Sequence, residues 1–243
     1  MFTKPGTRDT RDSVISVDPM RYNYDRRDMV PYVPSSARRV LDVGCAAGRF
    51  AENLRERERD IEVWGIDQWP LPEGVADPHH RRITGSYPAD APDGVTFDCV
   101  AFNDVLEHMI DPWGALDRAR AILAPGGVVV ASIPNVRNFV RVVRPLAVNG
   151  RWRYTDTGIL DRTHLRFFTR ESIVAMFEDA GFEIETIDPI HLHEHGRWAV
   201  MNRWLRGRLD DLLAVQYAVV GRPRTAGDHK TEHHIPHRDR DLH

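Results

Sequence analysis

Cysteine is scarce in this 243-residue chain: only Cys45 and Cys99 occur, far apart and in no Cys-x-x-Cys pair. That excludes a disulfide framework, argues against a structural zinc site, and fits a reducing cytoplasm. Long hydrophobic runs are missing too. No stretch approaches the ~20 apolar residues that cross a bilayer. The opening MFTKPGTRDTRDSV has no apolar core of the kind a secretory signal needs. Neither sign of charge dominates. The 33 Lys and Arg against 36 Asp and Glu leave a net charge of -3, too little positive field for broad nucleic-acid binding. No internal repeat is present. The expectation is a cytoplasmic protein without a membrane span and without a nucleic-acid partner.

What the chain does contain is alternation. Apolar strand-like runs, RRVLDV, IEVWGID, RRITG, FDCVAFN and VVVASIP, are separated by helical patterns such as GRFAENLRERE, with Phe50 and Leu54 on one face, and PWGALDRARAILAPGG, ending at Pro125-Gly126-Gly127. Nearly continuous apolar strands alternating with helices predict an α/β fold, a mostly parallel sheet covered on both faces. A further helix (RESIVAMFEDAGF) and two strands (FEIETIDPI and AVQYAVVGRP) close the domain. MRYNYDRRDMVPYVP predicts a short helix ending near Pro31 or Pro34. In GRWAVMNRWLRGRLDDLL, Trp198, Met201, Trp204, Leu205, Leu209 and Leu212 fall on one helical stripe, expected to pack into the core. The organisation read from this is a flexible arm over residues 1–19, one domain over 20–223 and a polar tail over 224–243. Residues 135–169 form an insertion over the carboxyl edge of the sheet, where ligands of such folds bind.

The first strand ends in an aspartate and breaks into a glycine loop that opens a helix. Gly44 and Gly48 permit tight turning and close ligand approach, and the free N–H groups of the helix start suit an anion. A dinucleotide loop would read G-x-G-x-x-G. The spacing here, Asp42-x-Gly44-x-x-x-Gly48, instead puts an acid where a pyrophosphate would be repelled and an ammonium group received. Asp67 ends the next strand, where an acid grips ribose hydroxyls in doubly wound folds. The ligand so described carries both a ribose and an ammonium group.

Together, VLDVGCAAGRF, VWGID, FDCVAFNDVLEHM and LAPGGVVVASIPN closely resemble the class I S-adenosylmethionine-dependent methyltransferases, in the branch with a V-L-E-H segment after the fourth strand. The resemblance runs from about Tyr22 to Pro223. It implies a doubly wound, seven-stranded Rossmann-like sheet, with S-adenosyl-L-methionine as cofactor. It places Asp42, Gly44 and Gly48 around the methionine part, with the Cys45 and Ala46 backbone nearby. Asp67 is implied on the ribose hydroxyls, Gln68 and Trp69 near the adenosine, and Asn103 on the inner wall. The acid that often meets the adenine in this family is replaced by Ser86, so Ser86 or Tyr87 stands in for it. Ala46 replaces a usual loop glycine, a mild change if its φ is negative. An amino-terminal helix carrying Tyr22, Tyr24 and Arg26 is implied as a lid, with a tyrosine or arginine on the methionine carboxylate. Cys45 reads as a small residue, since nothing near it supplies a base.

Transfer of a methyl group to a hydroxyl is helped by a base, and histidine suits neutral pH. His108 in NDVLEHM and His164 in GILDRTHLRFFT are the catalytic candidates. The second segment resembles one in methyltransferases that accompany sugar- and polyketide-tailoring enzymes. On that resemblance Asp161 orients His164, while Arg166 and Asn135 contact the acceptor. The expected activity is O-methylation of a sugar, glycan or hydroxylated natural product. Methylation of carbon or nitrogen on a quinone-like ring or an amine, or a silent cofactor-binding subunit, stands as the alternative. Arg137, Arg141, Arg144, Arg151 and Arg153 read as a solvated basic face. HLHEH (residues 191–195) lacks an accompanying acidic cluster, and no metal is expected. A homodimer is compatible with all of this.

Overall fold

The computed structural model describes residues 23–192 and 196–224. The arm, Tyr22, His193, His195 and the tail beyond Arg224 lie outside the described residues. Strands β1 (Arg39–Val43), β2 (Glu62–Asp67), β3 (Arg81–Thr84), β4 (Phe97–Asn103), β5 (Leu123–Pro134), β6 (Phe182–Ile190) and β7 (Gln216–Pro223) form one sheet. Their order is β3-β2-β1-β4-β5-β7-β6. All run parallel except β7, which is antiparallel to β5 and β6. The expected doubly wound architecture is present.

Side-chain alternation in β1 distributes the core to both faces of the sheet. Val40 joins Phe50 and Leu54 of α1 (Arg49–Arg57) on one face. Leu41 and Val43 join Leu116 of α2 (Pro112–Ile122) and Phe177 of α4 (Arg170–Asp179) on the other. Each fully buried Leu or Phe contributes roughly 1.5–3 kcal/mol, so the two layers hold the sheet rigid from both sides. The chain leaves β1 outward to β2 and β3, then returns to β4 on the opposite flank. The crevice above β1 and β4 is therefore the topological switch point where such sheets take ligands.

Several local expectations are corrected. Residues 23–29 are not helical, and only one 3-10 turn, Val30–Tyr32, follows. Their polar side chains bond elsewhere: Asn23 accepts from the Arg49 N–H, and Asp25 from the Asn53 amide. Such bonds compete with helix formation. Helix α2 stops at Ile122 and β5 begins at Leu123, because Pro125 disfavours helix in the residue before it; Gly126, at φ +81°, sits where the register with β4 shifts. The stripe from Trp198 to Leu212 is not one helix. Gly207, at φ +76°, separates α5 (Arg197–Trp204) from α6 (Asp210–Leu213). Trp204 is 83% exposed, and Leu213 rather than Leu212 is buried. The insertion begins with a π-helical turn, Phe139–Val143, and α3 (Arg144–Asn149), then runs as loops to the Asn135–Phe168 bridge. Among the described residues no helix is long and apolar enough to cross a membrane.

Candidate active site

The loop after β1 is built around backbone that only small residues accept. Gly44 has φ +70°, and a Cβ there would lie 2.6 Å from Val105 Cγ2. Gly48 has φ +90° at the start of α1, and its Cβ would lie 2.3 Å from Pro78. Ala46 has φ +41°, so the condition for a mild replacement fails. A left-handed alanine costs about 1–2 kcal/mol. Two hydrogen bonds hold it: Ala46 N–H donates to Asp67 Oδ2 at 2.9 Å, and Arg82 donates to the Ala46 carbonyl at 2.8 Å. Arg82 also reaches Cys45 Sγ at 3.2 Å. Burial pushes the Cys45 thiol up, which keeps it protonated and inert.

Beside this loop lies a cleft of about 360 Å³, walled by Asp42, Gly44, Cys45, Ala46, Asp67, Gln68, Trp69, Asn103 and His108. Asn23, Tyr24 and Arg26 close it from the amino-terminal segment. Asp67 Oδ1 accepts from the Trp69 N–H at 2.9 Å. Neither polar atom of the Asn103 amide has a partner among the described residues, nor does Trp69 Nε1. Such buried polar groups are suited to a ligand.

Two groups that sequence reasoning missed, His79 and Asp104, support this wall together with the expected Arg26. His79, with no exposed side-chain surface, sits between Asp77 at 2.7 Å and Asp42 at 3.7 Å. Burial works against its charge, but attraction from Asp42 and the bonded Asp77 raises its pKa above the ordinary value. Burial raises the pKa of Asp42, and His79 opposes that rise. Arg26 donates to Asp104 Oδ2 and to Ser132 Oγ, both at 2.7 Å. Asp104, at φ +56°, also accepts from Gln216 Nε2 at 2.7 Å.

A second cavity of about 70 Å³ adjoins the first, and Tyr24, Asp104 and His108 line both. Glu107 and His164 line the smaller one. The rings of His108 and His164 stand 4.7 Å apart, edge to face. His108 Nδ1 faces the Thr163 carbonyl at 3.2 Å, and His164 Nδ1 faces the Ile159 carbonyl at 3.0 Å. Burial, then the nearby His108, lowers the His164 pKa. Burial, with Asp104 adding repulsion, holds the Glu107 carboxyl well above the usual carboxylate range.

Of the remaining candidates, Ser86, Tyr87, Asn135 and Arg166 line neither cavity, and only Asp161 does. Ser86 is exposed and donates its N–H to Asp90. Tyr87 packs on Phe102 and bonds the Ala115 carbonyl. Asn135 is buried, donating to the Asp211 and Ala214 carbonyls and accepting from the Arg137 N–H. Asp161 lines the smaller cavity, but its side chain holds the Thr163 N–H and hydroxyl rather than the His164 ring. Arg166 is exposed, donates to the Ile110 carbonyl and lies over Trp113.

The profile of a family described as a methyltransferase domain matches residues 20–187. A ubiquinone biosynthesis O-methyltransferase from Azorhizobium caulinodans is 27% identical over 232 residues, covering 86% of this chain and 83% of that protein. One from Aeromonas salmonicida is 27% identical over 164 residues, covering 63% of this chain and 66% of that protein. The Burkholderia thailandensis 1,6-didemethyltoxoflavin-N1-methyltransferase, solved with 1,6-didemethyltoxoflavin and S-adenosylhomocysteine, has the same fold. Its TM-score is 0.57 at 16% identity, over 86% of this chain and 82% of that one. The chain belongs to the class I S-adenosylmethionine-dependent methyltransferases.

Proposed function

We propose that this methyltransferase acts on a hydroxyl oxygen of a small, hydroxyl-rich acceptor such as a sugar unit or a polyhydroxylated natural product. The observation that carries this reading is the wall shared by the two cavities. His108 stands on it, with His164 behind, where an acceptor proton must be handled beside the donor. The named O-methyltransferase relatives favour oxygen over nitrogen or carbon.

In this reading Asp42 and the Gly44–Gly48 loop hold the methionine part of the donor, and Asp67 takes the ribose hydroxyls. Gln68 and Trp69 flank the adenosine, the adenine contact passing from Ser86 to the unpartnered indole Nε1–H of Trp69. Asn103 supplies the inner wall, and Tyr24 and Arg26 cover the cleft. The acceptor oxygen attacks the methyl carbon in line, and the carbon–sulfur bond breaks with its electron pair going to sulfur. The hydroxyl proton leaves at the histidine pair. Because the sulfonium is already activated, alignment supplies most of the acceleration.

Calorimetric titration with S-adenosylhomocysteine, with NAD as control, tests the cofactor assignment. The wild type should bind the nucleoside and not NAD. Asp67→Ala should weaken binding roughly 10–100-fold, the worth of charge-assisted hydrogen bonds of about 1.5–3 kcal/mol. Absence of binding by the wild type would overturn the assignment. With a hydroxylated acceptor panel and methyl-labelled donor, carbon NMR should identify a methoxyl product. A methyl group on nitrogen or carbon would replace the oxygen reading.

A further inference from the structure

We propose that Glu107, His108 and His164 are the ligand set of a divalent cation site on the floor of the smaller cavity, one that takes zinc or a similar first-row ion. One ligand atom from each lies within 4.8 Å of the others. The site's role in catalysis rests on the oxygen-transfer reading above; its existence does not.

Glu107 carries most of the argument. It is 1% exposed, and neither carboxylate oxygen has a hydrogen-bond partner among the described residues. A buried polar side chain in that condition is costly unless something else satisfies it. His164 Nε2 is 4.0 Å from Oε1, too far for a hydrogen bond. Two ligands each about 2.1 Å from a tetrahedral zinc stand roughly 3.4 Å apart, so a closure of at most about 1.4 Å completes the set.

The histidines are prepared for the same task. A backbone carbonyl can only accept, so the Nδ1 of each ring carries the hydrogen it points at the Thr163 or Ile159 oxygen. That fixes the tautomer and leaves the His164 Nε2 lone pair toward Glu107, the outer-shell arrangement metal-binding histidines use. Two imidazoles and one carboxylate are the donors of an open catalytic zinc site, which keeps at least one position for water or substrate. His108 also lines the larger cleft, so the open position faces the boundary between the cavities. There a coordinated acceptor hydroxyl would lose its proton to water, and the resulting oxygen would take the methyl group as the carbon–sulfur bond breaks. No oxidant or reductant is involved. The cation replaces a histidine ring as the means of acidifying the hydroxyl, and departs from the metal-free expectation of the sequence.

The test is zinc content after equilibrium dialysis of the full chain at one fixed free zinc concentration. Because the chain has 12 histidines, the readout is the difference between wild type and variants. Wild type should hold about one zinc more per chain than Glu107→Gln or His164→Asn, with all three binding S-adenosylhomocysteine alike. Equal zinc contents in proteins that bind the nucleoside would overturn the site and leave the methyltransferase reading intact. Failure of wild type to bind the nucleoside would count against that reading whatever the zinc content. Anomalous scattering at the zinc edge from crystals of the full chain needs no variant. A peak within bonding distance of Glu107 supports the site, and peaks only elsewhere overturn it.

Discussion

His79 has no exposed side-chain surface and two carboxylates against its ring, so folding changes how tightly it holds a proton. Its folded pKa is raised above the ordinary 6.5. The stability this contributes is complete below about pH 6.5 and is lost as the pH rises through the raised folded value. The wild type should therefore lose stability as the pH rises above 6.5, and His79→Gln should lose less. Thermal melts of both proteins across that range check this; parallel slopes would remove His79 as the cause. Asp42 and Asp67 were legible in the sequence because strand ends and spacing mark them. His79, Glu107 and Arg82 were not, because each is defined by partners from other strands and loops. The Arg166 and Asp161 side chains bond nearby backbone, which a cluster of polar letters does not reveal.

At the level of single elements, the glycine loop and the insertion make opposite demands on the same residue type. Gly48 and Gly150 both have positive φ, +90° and +60°, but only at Gly48 would a Cβ meet another atom, Pro78 at 2.3 Å. Gly48→Ala should cost at least about 3 kcal/mol, combining backbone strain with overpacking, and should abolish nucleoside binding. Gly150→Ala should cost about 1 kcal/mol and leave binding unchanged. Denaturant titration with calorimetry separates the two; equal losses would mean that backbone angle alone matters. The strands were readable from their apolar runs, and α4 was readable too, with its Thr169–Ser172 capping box. The split between α5 and α6 was not. The helical period continues through Gly207, and only the backbone turn there shows that the stripe never faces the core as one surface.

Across the whole molecule, one polar network joins distant parts of the chain. Arg26 precedes the first strand, Asp104 follows the fourth and Gln216 begins the last, with separations of 78 and 112 residues along the sequence. Arg26 is 11% exposed in its side chain. Its replacement by alanine strips charge-assisted bonds from Asp104 and Ser132. Arg26→Ala should destabilise the fold by about 2 kcal/mol and weaken nucleoside binding, as seen in denaturant midpoints and titration. An unchanged midpoint would reduce the network to surface decoration. No local pattern signals such a tie, which is why the doubly wound parallel sheet could be read from sequence and the Arg26–Asp104–Gln216 network could not.

The same tie has a consequence for synthesis. A ribosome delivers Arg26 and Asp104 long before Gln216, and β5 has no outer neighbour until β7 follows it. The growing chain therefore exposes an open sheet edge and an incomplete cleft until β7 is made. Unfinished chains would leave the cell's methyl donor alone, and the late strand would be the step most dependent on protection against aggregation.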